Sequence, residues 1–285
     1  AGGEDDDLNV FTEYDDRIVR SRELDWTVSN KYTRHSPVTL YPWKKICEPH
    51  RPEHLSVIGP SARHTYEWTV ARKASVGEAR DVRGGLSGAN VSFVFTSVGE
   101  WDVELVETSA RGQTWATARG VVVAKYVRRE LRSLDDADRE AFLAALHTIY
   151  SLSSDEGKQK YGESYEGIAY FARIHLYGAA ARDCDHWHDD AGLMVHHMAF
   201  TLQLERGLQA IDPSLAVPYW DYTIDAFEYG DGWEDSPVFG DSWFGSAAPG
   251  GAHHVVETGR WAYTRLLDAA SGARDYSSIT NPYGV

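Results

Sequence analysis

His175, His186, His188, His196 and His197 crowd into one short stretch, which runs on through Glu205 to a Pro218-Tyr219-Trp220-Asp221 turn. Neutral imidazole is a borderline donor that suits copper, zinc and iron, so such a cluster points first to metal chemistry. Helical spacing sorts the five. Ile168, Phe171, Ala172 and His175 share one helical face, and Leu193, His197, Phe200, Thr201, Leu204 and Leu208 share another in the next helix. On an ideal helix His196 is rotated about 100° from that second stripe, which places it on a flank. The loop between the helices supplies His188 or His186. Two helix-borne nitrogens and one from the loop make a three-nitrogen site. The competing reading is a network of neutral histidines hydrogen-bonded in a core, and His147 alone on its helix face reads that way.

Two kinds of element must position these residues. From about residue 37 the apolar period is two: Tyr66, Trp68 and Val70 alternate with Glu67 and Thr69, Val91, Phe93 and Phe95 follow the same rule, and Trp101, Val103 and Leu105 alternate with Asp102 and Glu104. Trp115 then leads into Val121-Val122-Val123. Gly59-Pro60, Gly84-Gly85, Ser87-Gly88 and Gly112 punctuate the runs, as turns in an antiparallel β-sandwich would. Ser97-Val98-Gly99-Glu100-Trp101 reads as a hairpin joining two strands. At Ser133 the period becomes helical. Ser133-Leu134-Asp135-Asp136 has the form of a capping box, followed by Phe142, Leu146, Ile149 and Tyr150 at helical spacing. The expected organisation is an acidic arm at 1–36, a β-sandwich at 37–127 and a mainly helical domain at 128–285. The arm opens on Glu4-Asp5-Asp6-Asp7, a solvated run that lacks the spaced ligands of a calcium loop.

The histidine segment resembles the first-copper half of the tyrosinase family of type 3 copper proteins, which includes catechol oxidases and haemocyanins. His197 lies three residues before Phe200 and eight before Glu205, as that family's third ligand does, and His188 lies nine residues before His197. His175 stands in the preceding helix. Leu208-Gln209, Asp212-Pro213, Val127-Arg128-Arg129-Glu130, Asp235-Ser236-Pro237-Val238-Phe239 and 256–262 extend the likeness over about residues 127–285. The sandwich more loosely resembles an immunoglobulin or polycystic-kidney-disease type domain. The resemblance implies one copper on His175, His188 and His197, with His186 as the other claimant for the loop position. It also implies a second copper on three further histidines, the pair binding dioxygen and oxidising phenols or catechols to quinones.

Departures set the alternatives. Many members carry a cysteine two residues before the second ligand, able to form a thioether with it; Cys184 has that relation to His186 rather than to His188. The arginine usual after the third ligand is Met198. After His197 only His253 and His254 remain, adjacent in a Gly-rich stretch, and they read as surface residues. The ending Ile279–Val285 resembles the stretch that precedes the second-copper helices, so the helical domain is expected to be incomplete, its other half supplied elsewhere or by a second polypeptide. A non-catalytic scaffold or docking subunit of a larger assembly is the contrasting expectation. A mononuclear zinc site with an activated water ranks last, because Asp189 and Asp190 suit the helix N-terminus better than general-base work.

Composition closes off other classes. With 43 acidic against 28 basic residues the formal charge is −15, which disfavours nucleic acid and anionic membrane surfaces. No apolar run reaches membrane-spanning length. Two cysteines, Cys47 and Cys184, build no disulfide framework. The Asn90-Val91-Ser92 sequon and an opening Ala1 without a leader suggest a trimmed, extracytoplasmic protein. A phosphate-binding glycine loop, a Ser-His-Asp arrangement and a Cys-x-x-Cys motif do not occur. Glu166 reads as exposed, and Glu205 as a polar residue hydrogen-bonded inside the helical core.

Overall fold

The computed structural model describes residues 23–33, 41–73, 82–179, 185–189, 191–247 and 255–264. They fall into two compact units that meet in sequence between Lys125 and Tyr126. The acidic run at 4–7, Cys184, Asp190, His253, His254 and 279–285 lie outside the described residues.

The first unit is a two-sheet sandwich. Strands β1 (Trp26–Ser29), β3 (Pro52–Val57) and β6 (Asn90–Val94) form one sheet in the order β1-β3-β6. The other sheet runs β2-β8-β7-β4-β5, from β2 (Ile46–Cys47), β8 (Thr114–Ala124), β7 (Gly99–Ser109), β4 (His64–Arg72) and β5 (Val82–Ser87). Period-two alternation sends Tyr66, Trp68, Val70, Trp101, Val103 and Leu105 inward against Trp26 and Leu55 of the opposite sheet and Phe95 just past the end of β6. Trp26 meets Trp68 edge to face at 5.7 Å, and Phe95 meets Trp101 likewise at 5.4 Å. Each central indole keeps a hydrogen bond: Trp68 Nε1 donates to the Gly88 carbonyl (2.8 Å) and Trp101 Nε1 to that of Ser97 (3.1 Å).

Three features differ from the sequence reading. Trp26–Ser29, assigned there to the arm, is a strand of the first sheet with Trp26 buried in the core. The 97–101 segment is not a hairpin: β6 pairs with β3, β7 pairs with β4 and β8, and the connection crosses between sheets. Phe95, one residue past the end of β6, meets Trp101 of β7 in the interior between the sheets. Alternation alone cannot tell that arrangement from adjacent strands. The sandwich is also not wholly antiparallel, since β2 pairs with β8 in parallel.

The second unit is mainly helical, with α1 (Asp136–Ser151), α2 (Ser154–Tyr161), α3 (Ile168–Ala179), α4 (Gly192–Ile211) and α5 (Tyr222–Tyr229). Asp135, not Ser133, caps α1 by accepting from the Asp138 amide. Ser133 sits in a preceding 3₁₀ turn and its hydroxyl donates to the Glu130 carbonyl. A reciprocal capping box does occur, at Ser153 and Glu156 of α2. Leu131, Phe142, Leu143, Ile149, Tyr165, Phe171, Leu208 and Trp261 form the core. Tyr165 lies against Gly157, where a Cβ would come within 1.8 Å of its ring, and its hydroxyl donates to the Thr148 carbonyl.

Buried charge ties the chain around this core. Glu205 of α4 accepts from Arg128 (2.8 and 3.2 Å) and from the Val217 amide (2.9 Å), so one carboxylate holds both the lead-in and the return segment. Between them Arg129 and Leu131 exchange backbone hydrogen bonds with Tyr219. Asp225 accepts from Arg132 and from Trp220 Nε1, each at 2.5 Å. Glu205 thus plays the part read from sequence. Glu166 does not: its side chain is 13% exposed and paired with Lys158 at 2.6 Å. No helix among the described residues is long and apolar enough to cross a membrane.

Candidate metal centre

Three histidines come together in the second unit, and each reaches the centre from a different element. His175 stands on α3, one turn beyond the buried Phe171, and His197 on α4, one turn before the half-buried Phe200. Phe171 and Phe200 pack edge to face at 5.5 Å and hold the two helices in register. His188 arrives on the loop before α4. Asp185 shapes that loop: its Oδ1 accepts from the amides of Trp187 (3.0 Å) and His188 (2.9 Å) in an Asx turn. Its Oδ2 takes the Nδ1–H of His188 at 2.6 Å.

The ring nitrogens are sorted by these contacts. His197 Nδ1 donates to the Leu193 carbonyl at 2.9 Å, so that nitrogen carries the proton, as Nδ1 of His188 does toward Asp185. In the neutral tautomer that these contacts select, both rings turn Nε2 away from them as the metal-binding atom, as metal-binding histidines do when a carboxylate or carbonyl fixes the far nitrogen. Ligand atoms of His175, His188 and His197 all lie within 4.8 Å of one another. Their ring centroids are 5.1 to 5.8 Å apart. Desolvation, with His188 and His197 nearby, holds the His175 imidazole below its usual range despite the opposing pull of Asp185. A neutral ring at neutral pH is the form that binds a metal. Burial pushes the Asp185 carboxyl up, and its bonds to His188 and Trp187 more than offset that, leaving it below the ordinary carboxylate range.

An indole fills the space behind the imidazoles. Trp187 stacks on His196 (5.3 Å, 11° between planes) and meets His175 at 5.5 Å, His197 at 5.6 Å and Phe200 at 5.5 Å. It fits because α3 carries Gly178, where a Cβ would stand 1.7 Å from Trp187 Nε1. Gly192 performs a similar service at the start of α4, where a Cβ would meet the His186 carbonyl at 2.4 Å.

Of the residues singled out from sequence, His175, His188 and His197 are brought together. His186 is exposed and stands outside that group, although its carbonyl lies against Gly192. His196 takes the flanking position, stacked on Trp187 and exposed. His147 packs edge to face on Trp261 at 5.4 Å. Asp189 is exposed just ahead of α4. Leu193, placed by spacing on the buried stripe, is 40% exposed, and the stripe closes only from Phe200 to the fully buried Leu208. Sequence reasoning missed Trp187, Gly178 and Asp185. The available signals were local: an aspartate three residues before His188 and a glycine three after His175.

The donor set fits a copper or zinc ion. Bonds of about 2.0 Å from three imidazoles set their nitrogens roughly 3.3 Å apart, and the three ligand atoms here lie within 4.8 Å of one another. Three neutral ligands leave further coordination positions for small molecules.

Residues 144–280 match the family described as the common central domain of tyrosinase. Grixazone synthase of Streptomyces griseus is 35% identical over 75 residues, covering 26% of this chain and 22% of that protein. Tyrosinase-like protein 2 of Margaritifera margaritifera is 30% identical over 121 residues, covering 42% of this chain and 24% of that protein. The chain thus spans less than a quarter of the length of these relatives.

Proposed function

From the premise that this chain belongs to the tyrosinase family through its second unit, we propose that His175, His188 and His197 hold one copper ion of a phenol- or catechol-oxidising centre. The observation that carries the reading is the convergence of three ligand nitrogens within 4.8 Å, two of them aimed by hydrogen bonds on their far side. Copper supplies dioxygen binding and electron transfer when two ions act together. The chain's own residues do the rest. Asp185 and the Leu193 carbonyl fix tautomers, Trp187 braces the rings, and the depressed basicity of His175 keeps its lone pair available.

Oxidation of phenols by a pair of ions needs a second histidine trio. Among the described residues His175, His188 and His197 form the one such group, so the reading places the second trio beyond them, in this polypeptide or in a partner. An extracytoplasmic location belongs to the same reading and is supported by the exposed Asn90 of the sequon. Copper affinity measured by chelator competition tests the assignment. His175→Ala, His188→Ala and His197→Ala should each weaken binding by about 100-fold, the upper end for disturbing a metal shell, whereas His186→Ala should not. Copper held equally well by all four variants would defeat it.

A second reading, a non-catalytic scaffold, is favoured by one observation: large apolar side chains stand open to solvent on this unit, with Phe227 92% exposed. It predicts full copper occupancy without quinone formation in the native assembly. Catechol oxidation by that assembly, lost on His197→Ala, would eliminate it.

A further inference from the structure

The whole chain contains two methionines, and both sit on one short stretch of α4, beside the histidine trio: Met194 and Met198. They are 64% and 67% exposed. Positions 194 and 198 are i and i+4, while 194 and 197 are i and i+3, so on the helix surface Met194 neighbours both Met198 and His197 and links the pair to the trio. Leu193, next in sequence to Met194, supplies the carbonyl that orients His197. Thioether sulfur is a soft, neutral donor that suits cuprous copper and disfavours magnesium or calcium. Methionine's three rotatable bonds allow two sulfurs on adjacent turns to meet on one ion.

Resting on the copper reading of the trio, we infer that Met194 and Met198 form a cuprous-ion entry site that receives the metal at the surface and hands it to His197. The transfer is an exchange of ligands. Two neutral thioether lone pairs let go as imidazole Nε2 lone pairs take hold, no electron moves, and the Nδ1–H bonds to Asp185 and Leu193 stay as they are. A purely apolar role for the pair would be served equally by leucine, which matches methionine in volume. That equivalence makes Met→Leu the discriminating change.

The experiment uses the full chain with carbon-13-labelled methionine methyl groups. Silver(I), a redox-inert analogue of cuprous copper, is titrated against the wild type and against His175→Ala/His188→Ala, which cripples the trio. Anaerobic loading with cuprous copper is then timed for the wild type and for Met194→Leu/Met198→Leu. Both methyl resonances should shift at stoichiometric silver in both proteins. The leucine double variant should load about tenfold more slowly, the lower end for accessory groups around a metal, and reach the same final occupancy. Unmoved methyl resonances, or equal loading rates, would overturn the entry site. Methyl shifts without any copper arriving at the histidines would instead sink the trio's reading, and the relay with it.

Discussion

The core of the sandwich and the histidine end of the helical unit treat aromatic residues in opposite ways. In the sandwich Trp68 and Trp101 are sealed from water, and each indole N–H has a carbonyl acceptor. At the histidine end Trp187 is only half-buried, its ring set against three imidazoles and a phenylalanine, and the first turns of α4 lie open. One region resists change because everything in it is packed. The other is held by a few directional contacts around the histidine trio proposed to hold the ion. Stability and chemistry therefore sit on different residues, and mutations should separate them.

Removing the side chain of Trp101 is the harshest test of that separation. Trp101→Ala should destabilise the sandwich by about 3–5 kcal/mol, the range for aromatic truncation in a core, and leave copper affinity at the trio unchanged. Chemical denaturation followed alongside metal titration checks both halves, and a matching loss of copper binding would erase the distinction drawn here. Next in size is Glu205→Gln. It keeps shape but weakens the charge-assisted bonds from Arg128 and the bond from the Val217 amide, for about 1.5–3 kcal/mol, the lower figure being favoured because Arg128 is partly in water. The unfolding transition of the helical unit should move while that of the sandwich stays put.

Gly178→Ala reverses the pattern. Its methyl would occupy the seat of Trp187, so copper affinity should fall by about 10- to 100-fold, as for other supports of metal ligands, with little change in either unfolding transition. Equal copper affinity in this variant would show that the indole brace is dispensable. The smallest effect concerns acid. Burial pushes the Asp225 carboxyl up, but hydrogen bonds from Ser236 and Trp220 and the charge of Arg132 hold it below its ordinary value. A folded pKa below the unfolded one adds stability that is present above the unfolded value, about 3.9, and disappears as pH falls through the folded one. The helical unit of the wild type should thus lose stability below about pH 4 more steeply than Asp225→Asn does. Parallel acid profiles would remove Asp225 from the account.

Much of this arrangement was legible in the residues. Tyr66, Trp68 and Val70, or Trp101, Val103 and Leu105, can alternate only in strands with one buried face, and the sandwich follows. His175 and His197 announced themselves by sharing helical faces with Phe171 and Phe200. What escaped is what periodicity cannot carry. It fixes which face a strand buries, not which sheet the strand joins, so β6 and β7 read as neighbours. Trp26 escaped because one tryptophan in a short strand leaves too few residues to establish a period. Ser133 looked the better cap, yet the side chain that accepts the helix amide belongs to Asp135. Trp187 had no signal at all, since its place depends on a glycine in α3 and on four rings gathered from two helices.

The parallel pairing of β2 with β8 joins residues 46–47 to 123–124, so the strand carrying Cys47 stays without its neighbour in the sheet until most of the sandwich has been synthesised. Contacts of such long range are made late. In the finished sandwich the Cys47 thiol is 2% exposed, and desolvation together with Glu53 and Glu48 suppresses its ionisation. Nascent chains that stop short of residue 123 should react with a thiol reagent at this position, and longer ones should become inert, which makes Cys47 a chemical clock for closure of the sandwich.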